Sequence, residues 1–399
     1  MVVRGGRLRA GGVLEEDGVV KGVEFFRHEL GEAELDSLRE ALRGKFLTTG
    51  PMTARFEERF ASYLGVPHVV GVTSCTAAMH LALLAREVGP GDEVITTPLT
   101  FMATPNAILH AGATPVFVDV DPVTGNIDPG AVEEAVGPTT RAILAVHLYG
   151  VLCDMRSLRR IADRHSLALI EDAAHCVEGS RDRARPGHLS DAACFSFYAT
   201  KNLSAGEGGA IAVHDEGTRD LLRRLRLHGM TRDAHMRHDG PGAGPGYDMD
   251  VLGWKYNMDT IQAALLLPQL ERIDETLARR RRAWGWFIEE IDGIEGVELP
   301  RIPGGCESAF HIFSIRVDRS RRGPTLRALR ERGIGCAVNF LPVHLLTYYR
   351  EHFGIEAGAL PVAESIGERT ITLPFYPSIT RDEVARVGRA LRGALDAGV

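Results

Sequence analysis

The chain predicts an α/β fold, with a large, mostly parallel sheet domain followed by a smaller C-terminal α/β domain. Three observations carry this reading. Between residues 69 and 172, short apolar runs alternate with helix-length segments of helical periodicity. Strands spaced in that way pair in parallel through right-handed crossovers. At 399 residues the chain is long for a single core, because cores stop growing beyond a few hundred residues. Residues able to do chemistry also cluster just after the predicted strands, where open parallel sheets bind ligands.

Residues 1–24 read as a mobile N-terminal arm, 25–275 as the large domain and 276–399 as the small one. Segment 34–46 has helical spacing, Thr48-Thr49-Gly50-Pro51 breaks it, and 52–64 reads as a helix with Phe56, Phe60 and Leu64 on one face. The strand 69–73 leads through Ser74-Cys75 into the helix 76–85. Then follow strand 93–97, helix 102–111, strand 114–120, a helix near 129–135, strand 142–146, helix 155–165 and strand 167–172. Another apolar strand runs from Cys194 towards Lys201, and Glu207-Gly208-Gly209 turns into the next. The Gly/Pro stretch 239–246 is expected to be a surface loop. A long helix is expected from 258 to about 288, then a strand at 309–317, a helix at 325–332, a strand at 337–340 and a last helix at 381–395.

Composition excludes several classes. Net charge is −7, which argues against a general nucleic-acid binder. Six cysteines (Cys75, Cys153, Cys176, Cys194, Cys306, Cys336) form no CxxC pair. A disulfide framework is therefore not expected, and a reducing cytoplasm is. The basic, Gly-rich start has no apolar run after it, so no signal peptide is expected. No apolar run reaches the ~18 residues needed to span a membrane.

The chemistry-bearing residues are weak signals one at a time. Lys201 follows an apolar strand, where lost solvent lowers an amine's pKa and frees it to act as base or to form a Schiff base. Asp172 ends the strand 167–172, either as a turn residue or as an anion at the bottom of a pocket. Ser74-Cys75-Thr76-Ala77 opens a helix, and is either a cap or an anion cradle built from free N–H groups. Ser196 is a core-strand hydroxyl or a further phosphate contact, and Phe101 is a helix-start staple or a plate for a flat ring. His175 and His147 follow strands too. A phosphate cradle, an aromatic plate, an acid and a lysine at successive strand ends make up the requirement list for pyridoxal 5′-phosphate (PLP).

With these residues in place, the sequence resembles the DegT/DnrJ/EryC1/StrS family of PLP-dependent sugar aminotransferases. The likeness runs through Phe46-Leu47-Thr48-Thr49-Gly50-Pro51, Thr76-Ala77-Ala78-Met79-His80, Glu171-Asp172-Ala173-Ala174-His175, the lysine segment ending in Glu207-Gly208-Gly209, and Lys255-Tyr256-Asn257-Met258. The resemblance implies fold type I, the aspartate-aminotransferase architecture, as a homodimer with active sites at the subunit interface. It implies Lys201 as the Schiff-base lysine and Asp172 as the partner of the ring nitrogen. Phe101 and Ala174 would cover the two ring faces, and His175 would sit near the phenolic oxygen. Thr76, Ala77 and Ser196 would contact the phosphate, and Asn257 would reach the neighbouring subunit's cofactor. His147, Tyr149, Phe340 and His344 are the candidate substrate contacts. Cys75 stands where the family commonly has Gly, and Asn339 where it commonly has His.

The implied reaction is amino transfer from an amino acid, L-glutamate by resemblance, to a nucleotide-linked keto sugar, with pyridoxamine 5′-phosphate between the halves. The Lys255-Tyr256-Asn257-Met258 stretch leans towards a 4-keto over a 3-keto sugar. A keto-cyclitol acceptor is the nearest alternative. A PLP-dependent lyase and a non-catalytic PLP-binding regulator are the others.

Overall fold

The computed structural model describes residues 22–231 and 248–396. The predicted loop 239–246 and most of the predicted arm lie outside the described residues.

The larger sheet has seven strands: β1 (His68–Val72), β2 (Glu93–Thr96), β3 (Thr114–Phe117), β4 (Thr140–Val146), β5 (Ala168–Asp172), β6 (Ala192–Ser196) and β7 (Gly209–Val213). Their spatial order is β1-β7-β6-β5-β4-β2-β3. From β3 to β6 all pairings are parallel, while β7 runs antiparallel to both its neighbours. Helices Cys75–Ala85, Ala103–His110 and Met155–His165 are the crossovers between parallel strands. Each strand therefore returns to the same edge, and the C-terminal ends of β2, β4, β5 and β6 open on one side.

Both faces of the sheet are covered, so its strands are apolar along their length. On one face the helix Cys75–Ala85 buries Met79, Leu81 and Leu83 against Val70, Ile170 and Ile211. On the other, Phe56 and Phe60 of the helix Pro51–Leu64 stack at 5.5 Å and meet Phe195 and Phe197 edge-on. Their spacing of one helical turn allows this. Each such ring contributes about 1.5–3 kcal/mol through removal from water.

The C-terminal part has its own core. The strands β8 (Val297–Glu298), β9 (Phe313–Val317) and β10 (Thr370–Leu373) lie in the order β10-β9-β8, all antiparallel. Phe287, Phe313 and Phe375 pack with Trp284 beneath the closing helix Arg381–Asp396. Val23 belongs to this core. It is buried and bridges Ile334, so residue 23, placed in the predicted arm, is part of the folded C-terminal core.

Other expectations need correction. The single helix expected from 258 to 288 is two, Thr260–Glu271 and Ile273–Ile291, because Arg272 leaves helical geometry (φ −113°, ψ 17°). The break lets the second helix carry Ala283, Phe287 and Ile291 into the C-terminal core. Segment 337–340 is not a strand: only Ala337 bridges Thr372, which frees Asn339 and Phe340 to reach a cavity. Of 309–317, only Phe313–Val317 is strand. Lys201 does not end β6; it lies five residues on, in a tight loop whose turn is set by its N–H donating to the Tyr198 carbonyl at 2.9 Å.

Candidate active site

A cavity of about 520 Å³ opens at the C-terminal ends of β4, β5 and β6 and is closed from the other side by residues 311–312, 339–340, Leu373 and Phe375. Its size is typical of small-molecule sites. It brings together Lys201, Asp172, His175, Phe101, Thr76, Ser196, Ala174 and Phe340 from segments far apart in the chain.

Alternation along β5 separates two adjacent acids. Asp172 faces the cavity, while Glu171 points through the opposite face. Three groups hold the Asp172 carboxylate. The Thr104 hydroxyl donates to Oδ2 at 2.8 Å, the Ala174 N–H donates to Oδ1 at 3.1 Å, and the Cys75 thiol lies 3.7 Å from Oδ1. Thr104 is linked in turn to the Thr100 hydroxyl at 2.8 Å. Burial, with Asp172 nearby, pushes the Cys75 thiol well above its ordinary pKa, so it stays protonated and can donate.

The start of the helix Cys75–Ala85 is both cap and cradle. Ser74 caps it by accepting the Ala77 N–H at 3.1 Å. The first N–H groups of a helix have no carbonyl one turn back, so they remain free for an anion. Thr76 lines the cavity beside them, but Ala77 does not, since its N–H serves the cap. Gly209 makes the arrangement possible. A Cβ there would lie 2.4 Å from the Ser74 carbonyl carbon, so only glycine lets β7 run against this turn. Ser196 faces the cavity, with its hydroxyl accepting the Tyr198 N–H at 3.3 Å.

Burial pulls the Lys201 amine down to about 8, and Asp172 and Cys75 oppose the shift. About a tenth of the amine is therefore neutral at pH 7, far more than in an ordinary lysine, as a nucleophile or base requires. Burial and the Lys201 charge hold His175 well below its ordinary pKa. Its Nδ1 accepts the Tyr149 N–H at 3.3 Å, and its ring stacks on Phe340 at 5.7 Å.

The remaining sequence candidates lie elsewhere. His147 is fully buried beneath the sheet, with Nε2 2.5 Å from Glu171 and Nδ1 accepting the Cys153 N–H. It is a core residue and not a cavity contact. His344 is equally buried and pairs with Glu364 at 3.0 Å. Tyr149 works from behind the wall: its N–H goes to His175 and its hydroxyl donates to the Asn339 carbonyl. Asn257 is outside this chain's cavity, where its amide donates to Thr49 at 2.8 Å and its oxygen accepts from Lys255 at 2.6 Å.

Sequence reasoning missed Thr104, His311, Phe25 and Phe26, which line the cavity, and gave Asn339 and Glu207, also in its lining, only as parts of the family likeness. Thr104 had one available signal, its spacing of a helical turn from Thr100. The others arrive from segments whose position depends on how the C-terminal part docks.

The donor set fits PLP. An amine of lowered pKa, a carboxylate fixed by hydroxyl and N–H donors, free helix-start N–H groups with Thr76 and Ser196 beside them, and an aromatic ring all face one cavity. Fold and site together define a PLP-dependent aminotransferase of fold type I. The chain belongs to the DegT/DnrJ/EryC1/StrS aminotransferase family, whose profile it matches over residues 28–392. It is 42% identical over 368 residues to the spore coat polysaccharide biosynthesis protein SpsC of Bacillus subtilis (strain 168), covering 91% of this chain and 94% of that one. The proposed sugar aminotransferase Spr1654 from Streptococcus pneumoniae, in its PMP form, superposes with a TM-score of 0.89 at 29% identity, over 94% of this chain and 100% of the other. DesI, solved in the presence of its TDP-sugar product, superposes with a TM-score of 0.82 at 33% identity, over 93% and 92%. The enzyme is accordingly a PLP-dependent sugar aminotransferase.

Proposed function

We propose that this enzyme moves the amino group of L-glutamate onto a nucleotide-linked keto sugar, 4-keto rather than 3-keto, as a cytoplasmic homodimer making amino sugars. The observation that carries the reading is the single cavity lined by the Lys201 amine, the fixed Asp172 carboxylate and the helix-start cradle. When bound, PLP supplies the carbonyl that takes up the amino group and the electron sink that stabilises the carbanion.

The chain's own residues do the rest. Lys201 would hold the cofactor as a Schiff base and, once displaced, carry a proton to and from the carbon that bears the nitrogen. Asp172, oriented by Thr104 and Ala174, would keep the ring nitrogen protonated. Thr76, Ser196 and the free N–H groups of the helix start would hold the phosphate, with Ala77 serving through the cap. Phe101 and Ala174 would confine the ring, and His175 would meet its phenolic oxygen. Phe340 would border the sugar.

The SpsC relative supports a role in polysaccharide amino sugars, and DesI supports a nucleotide on the substrate. A homodimer would explain why Phe101 is 54% exposed at the cavity and why Asn257 lies outside its own cavity. The test loads the enzyme as pyridoxamine phosphate and offers a panel of nucleotide-linked 3-keto and 4-keto sugars together with a keto-cyclitol. Return of the PLP absorbance with a 4-keto nucleotide sugar is expected. Return only with a 3-keto sugar, only with a keto-cyclitol, or with none, would overturn the reading.

A further inference from the structure

Asn202, next to Lys201, turns its side chain away from the cavity into a buried chain of polar groups. Its Nδ2 donates to both Glu178 carboxylate oxygens at 3.0 Å and to the Ala309 carbonyl at 2.8 Å. The Ala309 carbonyl can only accept, and this settles the amide orientation even though burial raises the Glu178 carboxyl to about 7: the NH₂ faces Ala309 and Glu178, and Oδ1 faces His311. His311 Nδ1 lies 3.1 Å from that oxygen. An amide oxygen only accepts, so Nδ1 carries the proton. The imidazole is also kept neutral by burial and by His175, Lys201 and Arg280 around it. A neutral ring protonated on Nδ1 has a lone pair on Nε2. Nε2 has no hydrogen-bond partner among the described residues, and His311 lines the cavity.

His175 is arranged in the opposite sense. Its Nδ1 accepts the Tyr149 N–H, so its Nε2 bears the proton. The two rings lie 4.4 Å apart. The cavity is thus faced by one imidazole that donates and one that accepts.

We propose that His311 Nε2 is the acceptor for a substrate hydroxyl next to the keto carbon, and that Asn202 and Glu178 are positioning residues that lock its tautomer. A neutral lone pair does not attract the carboxylates of an amino-acid donor, whereas a sugar brings hydroxyl donors. This rests on the keto-sugar reading above.

Two measurements test it. The first needs no substrate: ¹⁵N shifts of the His311 ring in cofactor-free enzyme. Protonated Nδ1 and bare Nε2 are expected between pH 6.5 and 8, and a shift towards the Nε2–H form in Asn202→Leu. Dominant Nε2–H in the wild type refutes the lock, whatever the variant does. The second compares a UDP-linked 4-keto-6-deoxy-2-acetamido sugar with its 3-deoxy analogue, in wild type and His311→Phe. Losing the hydroxyl should lower wild-type kcat/KM by about 10- to 100-fold, the usual effect of leaving a buried polar group unpaired. In His311→Phe the same loss should be only a few-fold. Equal factors in both enzymes refute the contact while leaving the aminotransferase reading intact. No wild-type turnover of the hydroxylated sugar, while another nucleotide-linked sugar restores the PLP absorbance, refutes the contact; no turnover of any of them refutes the acceptor class and the contact with it.

Discussion

Replacing Thr104 by Val removes a single hydroxyl while nearly preserving shape. Thr104 is buried, and its hydroxyl donates to Asp172 Oδ2 at 2.8 Å while meeting Thr100 at 2.8 Å. In the variant Asp172 keeps the Ala174 N–H and the long Cys75 contact, and nothing fixes Oδ2. A hydrogen bond to a charged group is worth about 1.5–3 kcal/mol. The cofactor ring would then have to order the carboxylate itself, and that penalty should appear in its affinity. At about 1.4 kcal/mol per tenfold, PLP should bind roughly ten- to a hundredfold more weakly. The assay is titration of cofactor-free protein with PLP, following the absorbance of the lysine-bound form, alongside a thermal melt of the cofactor-free variant. PLP affinity within about threefold of wild type, in a variant that melts normally, would refute the role given to Thr104.

Lys201 has a pH signature. Burial lowers its pKa from 10.5 to about 8. Between those values the unfolded chain holds a proton that the folded chain has released, so this group's contribution to stability rises with pH across that window. Cofactor-free Lys201→Met should therefore melt above cofactor-free wild type at pH 7, with the gap narrowing from pH 8 towards 10; a constant gap contradicts the burial argument. His147→Ala breaks a fully buried pair with Glu171 and should destabilise by about 3–5 kcal/mol, measured by denaturant unfolding; a raised sugar KM with unchanged stability would return His147 to the substrate site. Gly209→Ala places a methyl 2.4 Å from the Ser74 carbonyl carbon and should destabilise by about 1–3 kcal/mol or more, with weakened PLP binding; normal melting and affinity would show that the turn can yield.

The parallel sheet, most of its crossover helices and the Phe56/Phe60 face were legible in the sequence because each rests on local periodicity. The site residues on strand ends were legible for the same reason: Asp172, Ser196 and the turn at Ser74-Thr76 sit where a strand's own length places them. Lys201 was recognisable, but its loop was not, because that turn is closed by backbone hydrogen bonds within the loop, from Lys201 to Tyr198, Ala199 to Gly206 and Ala205 to Phe197, which no apolar periodicity announces.

Tertiary structure decided what each polar side chain does. His147 and His175 both follow strands, yet one is buried against Glu171 and the other faces the cavity. Glu171 and Asp172 are neighbours in sequence, and the pleat sends them to opposite faces. His311 carries no local signal; its role arises because Asn202 and Glu178, more than a hundred residues earlier, meet it in a buried chain. Sequence alone determined the strands of the larger sheet, their connections and therefore the edge where chemistry can occur, since those follow from short-range pattern. Tertiary packing alone determined which groups lose water and which partner each one keeps, since desolvation and hydrogen-bond pairing are settled between segments distant along the chain.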